Sequence, residues 1–237
     1  MKIAILQTDT VRPEFAADYG QYPQMFSDLL RQVDSQLEFA TFDVEHLQYP
    51  RNLDAYDAFL ITGSRCSVYE DLPWIHQLIE FVRQLHQQHK IIIGICFGHQ
   101  LVAQALGGKT EKAASGWGVG VHPAHWYQRP AWIDGAGDEF KLLVSHQDQV
   151  TEPATGSVVL AGSDFCPNAV CQLGDNILTF QGHPEFVSGY SRDLMQLRRE
   201  ILGEEVYQQG MASLAQTTDQ VDVARWIIDF MRKEGKG

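Results

Sequence analysis

The chain is poor in positive charge: 18 lysines and arginines stand against 30 aspartates and glutamates, a formal net charge of -12 over 237 residues. Nucleic acid or an anionic membrane would be approached against a repulsive field, so neither is expected as a general partner. Long apolar runs are also missing, and none approaches the roughly 20 residues needed to span a bilayer. Met1-Lys2 leads straight into Ile3-Ala4-Ile5-Leu6, which reads as a first strand rather than a signal peptide, and the expected location is cytoplasmic. Cysteine is sparse. The four residues, at 66, 96, 166 and 171, form neither a C-x-x-C pair nor a disulfide-dense scaffold, so they read as reduced thiols. Tandem repeats and low-complexity tracts are absent as well.

What is present in the first half is an alternation of strands and helices. Lys2 to Gln7, Leu37 to Val44 and Ala58 to Thr62 read as strands; Gln24 to Val33 and Pro73 to Gln87 carry apolar residues at helical spacing. Strands separated by helices imply an open, mostly parallel sheet with helices on both faces. The second half changes character. Residues 117–127, 141–145, 158–161, 169–173 and 177–181 are short β-like runs, and Gly174-Asp175-Asn176 predicts a hairpin between the last two. The expected fold is therefore α/β with an antiparallel extension of the sheet. It forms one domain over 1–237, with a core of about 2–202 and a helical extension over 203–237 that ends in an apolar stripe at Val223, Ile227, Phe230 and Met231.

The chemistry gathers at Ile91 to Gly108. Four β-branched residues within Ile91–Ile95 predict a strand buried on both faces, and a helical pattern begins directly after Cys96. Gly94-Ile95-Cys96-Phe97-Gly98 is the G-x-nucleophile-x-G pattern of a nucleophile elbow, a strand-to-helix turn that lifts one side chain above the sheet. There the helix N-terminus favours a thiolate at Cys96, and the Phe97 N–H can face an oxyanion. Taken alone, this short pattern leaves a buried structural cysteine equally open. Gly63-Ser64, at the end of another strand, offers a second backbone N–H, with an ordinary β-α turn as the plainer reading.

Downstream, Phe180-Gln181-Gly182-His183-Pro184-Glu185-Phe186 supplies a base with its orienting carboxylate. Proline holds His183 extended, so side chains 183 and 185 leave the chain on one side. His183 would move the thiol proton and Glu185 would orient and stabilise the imidazolium.

With these residues, G-I-C-F-G-H-Q at 94–100 and Q-G-H-P-E-F at 181–186, the chain resembles the class I, triad-type glutamine amidotransferases over roughly Lys2 to Leu202. The resemblance implies a Cys96 nucleophile forming a γ-glutamyl thioester, His183 and Glu185 as its partners, and Gly63 and Phe97 as oxyanion-hole positions. It also implies that Ser64, Gln100 and Ser145-His146-Gln147 bind substrate, and that no metal or organic cofactor takes part. The stretches 63–75, 116–120 and 145–150 are similar to stand-alone GMP-synthetase-like homologues, including plant γ-glutamyl peptidases. No Ser-Gly-Gly phosphate loop of a synthetase is present, so the partner expected beyond a small-molecule substrate is at most a separate synthetase subunit. Three functions follow: hydrolysis of the γ-amide of glutamine or a γ-glutamyl compound, γ-glutamyl peptide cleavage, and a non-catalytic regulatory or binding role. The intact Cys-His-Glu set weighs against the third.

Other features read as packing or solvent-exposed groups. His122 with His125, and His86 with His89, have ligand-like spacings without a third ligand. Cys166 and Cys171 are assigned to the core, His99 to shaping the turn, and Tyr69 to packing beneath Trp74.

Overall fold

The computed structural model describes residues 1–133, 135 and 137–233. Eleven strands and eight α-helices are described, beginning with β1 (Lys2–Gln7), α1 (Pro13–Tyr19), α2 (Tyr22–Val33), β2 (Glu38–Asp43), β3 (Ala58–Ile61) and α3 (Pro73–Gln87). They continue with β4 (Ile91–Ile95), α4 (Phe97–Ala105), β5 (Lys109–Lys112), β6 (Gly118–Trp126), β7 (Glu139–His146), β8 (Asp148–Glu152), β9 (Val158–Gly162), β10 (Val170–Leu173) and β11 (Ile177–Phe180). Helices α5 (Ser188–Leu197), α6 (Arg199–Leu202), α7 (Glu204–Ser213) and α8 (Gln220–Lys233) close the order.

Nine strands form one sheet in the order β2-β1-β3-β4-β11-β10-β9-β6-β7. The first five are parallel to one another, and each pairing from β11 through β10, β9 and β6 to β7 is antiparallel. Side-chain alternation divides the parallel strands between two cores. Ile3, Ile5, Leu60, Ile91, Ile93 and Ile95 pack with α2 and α8. Ala4, Leu6, Phe59, Ile61 and Ile92 face α3 and α4, whose Leu78, Phe81, Val82, Leu85 and Leu101 cover them. Helix α4 stops at Gly107, whose φ of 86° reverses the chain while the Gly108 N–H bonds back to the Ala103 carbonyl.

The stretch 203–237 was expected outside the core, yet α8 lies within it: Val223, Ile227, Phe230 and Met231 are buried against Phe26, Leu29 and Leu30 of α2. The apolar stripe therefore meets the protein's own surface. Residues 234–237 of that stretch lie outside the described residues. Four elements went unforeseen. α1 buries none of its residues, the two-stranded β5–β8 sheet is mostly polar with only Thr110 buried in β5, and α7 buries only Tyr207 and Gly210. Weak burial leaves weak periodicity, which is why none of these elements was visible as a pattern.

Candidate active site

Parallel register assembles the site. Pairing of Ile95 with Phe180 and of Ile61 with Gly94 brings the ends of β3, β4 and β11 to one level. Cys96, Gly63 and Gln181 leave those ends together, at the carboxyl edge of the sheet where such folds bind ligands. Cys96 follows β4 and is the N-cap of α4, with φ 52° and ψ -99°, a strained conformation for a residue bearing a Cβ. The strain is held by packing: a Cβ on Gly98 would lie 2.5 Å from the Ile61 carbonyl oxygen, so only glycine lets α4 sit this close to β3.

His183 arrives from the antiparallel side. Its N–H bonds to the Leu143 carbonyl of β7 at 2.8 Å, and its ring stacks on Phe186 at 3.9 Å between planes tilted by 10°. Its Nδ1 lies 2.8 Å from Glu185 Oε1, with both side chains buried. Nε2 is thereby left for the Cys96 sulfur, to which the imidazole is hydrogen-bonded. Burial alone would keep the ring neutral. The charges of Cys96 and Glu185, together with their hydrogen bonds, outweigh it and push His183 up to about 10. His99 and His146 show the opposite result. Burial holds His99 down at about 4 and His146 at about 3, so both are neutral.

Gly63 is fixed by the end of β1. Thr8 Oγ1 donates to the Gly63 carbonyl at 2.8 Å, and Asp9 Oδ2 accepts the Arg65 N–H at 2.9 Å. A Cβ on Gly63 would stand 2.9 Å from His183 Cε1 and 3.7 Å from Cys96 Cβ, so Gly63 lies directly against the sulfur-imidazole pair. Phe97 is the first residue of α4, and its N–H has no acceptor within the helix.

Above Cys96 opens a cleft of about 620 Å³, lined among others by Ser64, Gln100, Ser145, His146 and Gln147, the residues expected on the substrate side. Their atoms are not equally free. Gln100 Nε2 donates to the Asp148 carbonyl at 2.9 Å and to Gln181 Oε1 at 3.1 Å, which leaves its Oε1 for a ligand. Ser64 Oγ accepts the Cys66 N–H, and Ser145 Oγ accepts from Arg198 Nη1 at 2.7 Å. His146 is buried, with Nδ1 3.1 Å from the Asp148 carbonyl.

The cleft also holds residues that sequence reasoning did not assign: Lys112, Trp117, Asp148 and Arg198, with the Arg198 guanidinium 5.6 Å from the Trp117 ring centroid. Arg198 carries no signal in the sequence, being one of several charges in a helical stretch. Tyr69 was expected beneath Trp74; it is instead half exposed at the cleft and donates to Asp148 Oδ1 at 3.0 Å, while Trp74 packs on Phe97. His122 was read as solvated but is partly buried against Phe165 and the Val119 carbonyl, and burial lowers its pKa. A second cavity, of about 400 Å³, lies behind Gln181 between β6, β7 and β10, and its walls carry no charged side chain. Among the described residues, no group of three or more His, Cys, Asp or Glu side chains is placed to hold a metal ion. Nor is any helix among them long and apolar enough to cross a membrane.

A cysteine on a strained elbow at a helix N-terminus, facing a buried histidine-carboxylate pair, is the arrangement of a cysteine-dependent hydrolase. The chain belongs to the glutamine amidotransferase class-I family, whose pattern residues 15–220 match. Among curated relatives it is similar to "Gamma-glutamyl peptidase 4" of Arabidopsis thaliana, with 32% identity over 197 residues that cover 77% of this chain and 73% of that protein. It is also similar to a glutamine-hydrolyzing GMP synthase of Pyrobaculum aerophilum, with 31% identity over 70% of this chain and 31% of that longer protein. In fold it matches a crystal structure of a glutamine amidotransferase from Thermotoga maritima with a TM-score of 0.76 and 15% identity, covering 99% of both chains. The protein is thus a glutamine amidotransferase-like, cysteine-dependent hydrolase of γ-amide bonds.

Proposed function

We propose that the chain hydrolyses γ-glutamyl amide bonds in peptides or conjugates that carry a further carboxylate, in preference to glutamine itself. The observation that carries this reading is the charge of the cleft. Arg65, Lys112 and Arg198 line it against a single carboxylate, Asp148, in a chain whose formal net charge is -12. An enclosed, mostly neutral pocket would suit the small primary amide of glutamine. An open cationic cleft suits a longer, anionic substrate. Relatives named γ-glutamyl peptidases support the same reading.

In this mechanism His183 holds the proton of the Cys96 thiol, and the sulfur attacks the γ-carbonyl carbon. The tetrahedral oxyanion lies between the N–H groups of Gly63 and Phe97. His183 gives its proton to the departing amine, leaving a γ-glutamyl thioester on Cys96; water activated by the same imidazole then releases glutamate. Glu185 keeps Nδ1 protonated throughout. Ser64, Gln100 and the 145–147 loop hold the γ-glutamyl head group. Free thiols at all four cysteines suit a reducing compartment, and we place the reaction in the cytoplasm.

A second reading has ammonia from glutamine passed to a separate synthetase. Similarity to the glutamine-hydrolyzing component of a GMP synthase of Saccharolobus solfataricus, 28% identical over 134 residues, favours it. Steady-state kinetics decide between them. The purified chain should show a higher kcat/KM on a γ-glutamyl dipeptide than on glutamine, and Arg198→Ala should reduce that preference about ten-fold, the usual worth of one charge-assisted hydrogen bond. A chain inert on every γ-glutamyl compound until a synthetase is added would establish the second reading instead.

A further inference from the structure

The nucleophilic sulfur has a second polar neighbour that the mechanism above does not use. Gln181 Nε2 lies 3.5 Å from Cys96 Sγ, within hydrogen-bonding range for sulfur, and the Gln181 side chain is fully buried. Parallel pairing puts it there: Ile95 pairs with Phe180, the Cys96 N–H bonds to the Phe180 carbonyl at 2.8 Å, and Gln181 follows at once. Gln181's own N–H is tied to the Ala169 carbonyl at 2.8 Å, so its backbone is held from the neighbouring strand.

The direction of the amide follows from hydrogen-bond logic. The Asp148 carbonyl can only accept, so it must face the NH2 group of Gln100, at 2.9 Å. The second hydrogen of that NH2 points to Gln181 at 3.1 Å, which requires the Gln181 oxygen on this side. The Gln181 NH2 is then left facing the sulfur. Rotating either amide would set two acceptors or two donors against each other inside a buried site, at the cost of unmade hydrogen bonds.

We infer that Gln181 is a positioning residue that donates a hydrogen bond to the Cys96 sulfur, stabilising its anionic form and holding it toward His183, with Gln100 and the Asp148 carbonyl locking its orientation. Donation to the charged form of a group favours that form, and the low-dielectric surroundings strengthen the effect. Gln181 does not reach the cleft, whose lining includes Gln100 but not Gln181, so its action passes through the sulfur alone. Gln100 thereby gains a second duty beside the substrate contact left to its Oε1.

The inference rests on Cys96 as the nucleophile, and the test separates the two ideas by reading the thiol directly. Alkylation of Cys96 by iodoacetamide, followed by mass spectrometry of its peptide from pH 5 to pH 10, is compared for wild type, Gln181→Met and Gln100→Met, alongside kcat/KM on a γ-glutamyl dipeptide. In Gln181→Met, where a side chain of similar size lacks the donor, alkylation at pH 6 falls about ten-fold while the rate reached at high pH is unchanged. Gln100→Met shifts the profile in the same direction by less. If Gln181→Met loses cooperative unfolding, isosteric Gln181→Glu carries the test, with an equal or larger fall at pH 6 expected. A wild-type alkylation profile in a folded Gln181 variant overturns the inference, even with kcat/KM reduced. A shifted profile in a protein that cleaves no γ-glutamyl compound would keep the inference and overturn the proposed function.

Discussion

The parallel and antiparallel parts of the sheet contribute to the site by different physics. In the parallel part the geometry is steric: β3 and α4 approach until only glycine fits at position 98, and the tight contact imposes the strained backbone of Cys96. In the antiparallel part it is polar, through the Leu143–His183 backbone bridge, the His183–Glu185 hydrogen bond and the chain from the Asp148 carbonyl through Gln100 to Gln181. The difference teaches where damage should appear. Substitutions against steric contacts should cost fold stability, whereas those against polar contacts should cost rate in a protein that remains folded.

The largest effect expected is in the polar set and at the sulfur it serves. Cys96→Ala should lower turnover of a γ-glutamyl substrate by on the order of a thousand-fold or more with its circular dichroism unchanged, and His183→Ala should cost at least as much as Glu185→Gln. If Glu185→Gln were the more damaging of the two, with both proteins folded, Glu185 would be doing more than orienting the imidazole. Next comes the steric contact. Gly98→Ala should destabilise the fold by about 3 kcal/mol, because its Cβ meets backbone that cannot swing away. Gly63→Ala meets the His183 ring instead, so urea unfolding should show little change while kcat falls. Equal stability losses in both variants would erase the distinction drawn between the two parts.

The smallest effects are in pH dependence, where buried histidines divide by what surrounds them. His99 and His146 have folded values below the ordinary 6.5, at about 4 and about 3, so the unfolded chain binds the extra protons below pH 6.5. Stability should therefore fall as pH drops from 6.5 toward 4, by at most about 1.4 kcal/mol per pH unit for each group. His183 has the opposite sign. Raised to about 10, it contributes stability that is fully present below pH 6.5 and lost as pH rises through about 10. Thermal unfolding across pH 4 to 10 should show a shallower acid side in His99→Gln and a shallower alkaline side in His183→Gln. An unaltered slope in either would remove that histidine from the account.

Much of this was legible in the amino-acid sequence, for reasons that can be named residue by residue. Ile91–Ile95 is buried on both faces and therefore reads as a continuous apolar run, while Trp74, Leu78, Phe81, Val82 and Leu85 recur at helical spacing because one face of α3 meets the sheet. Cys96 stood out through its flanking glycines, and His183 with Glu185 through the proline between them. The polar strand β5, the short α1 and the weakly buried α7 were illegible because little of each touches the core.

The sequence by itself thus determined the class of fold, the elbow and the local His-Pro-Glu geometry, all of which depend on neighbours a few positions apart. Tertiary structure alone decided which distant groups meet. Gln181 touches the Cys96 sulfur because β11 pairs with β4, and Arg198 reaches Ser145 and Trp117 because α5 ends over the cleft. Tyr69 turns outward to Asp148 rather than inward to Trp74. Such contacts join residues 53 to 85 positions apart, and their geometry is set by strand register and helix packing, to which no local pattern of side chains is sensitive.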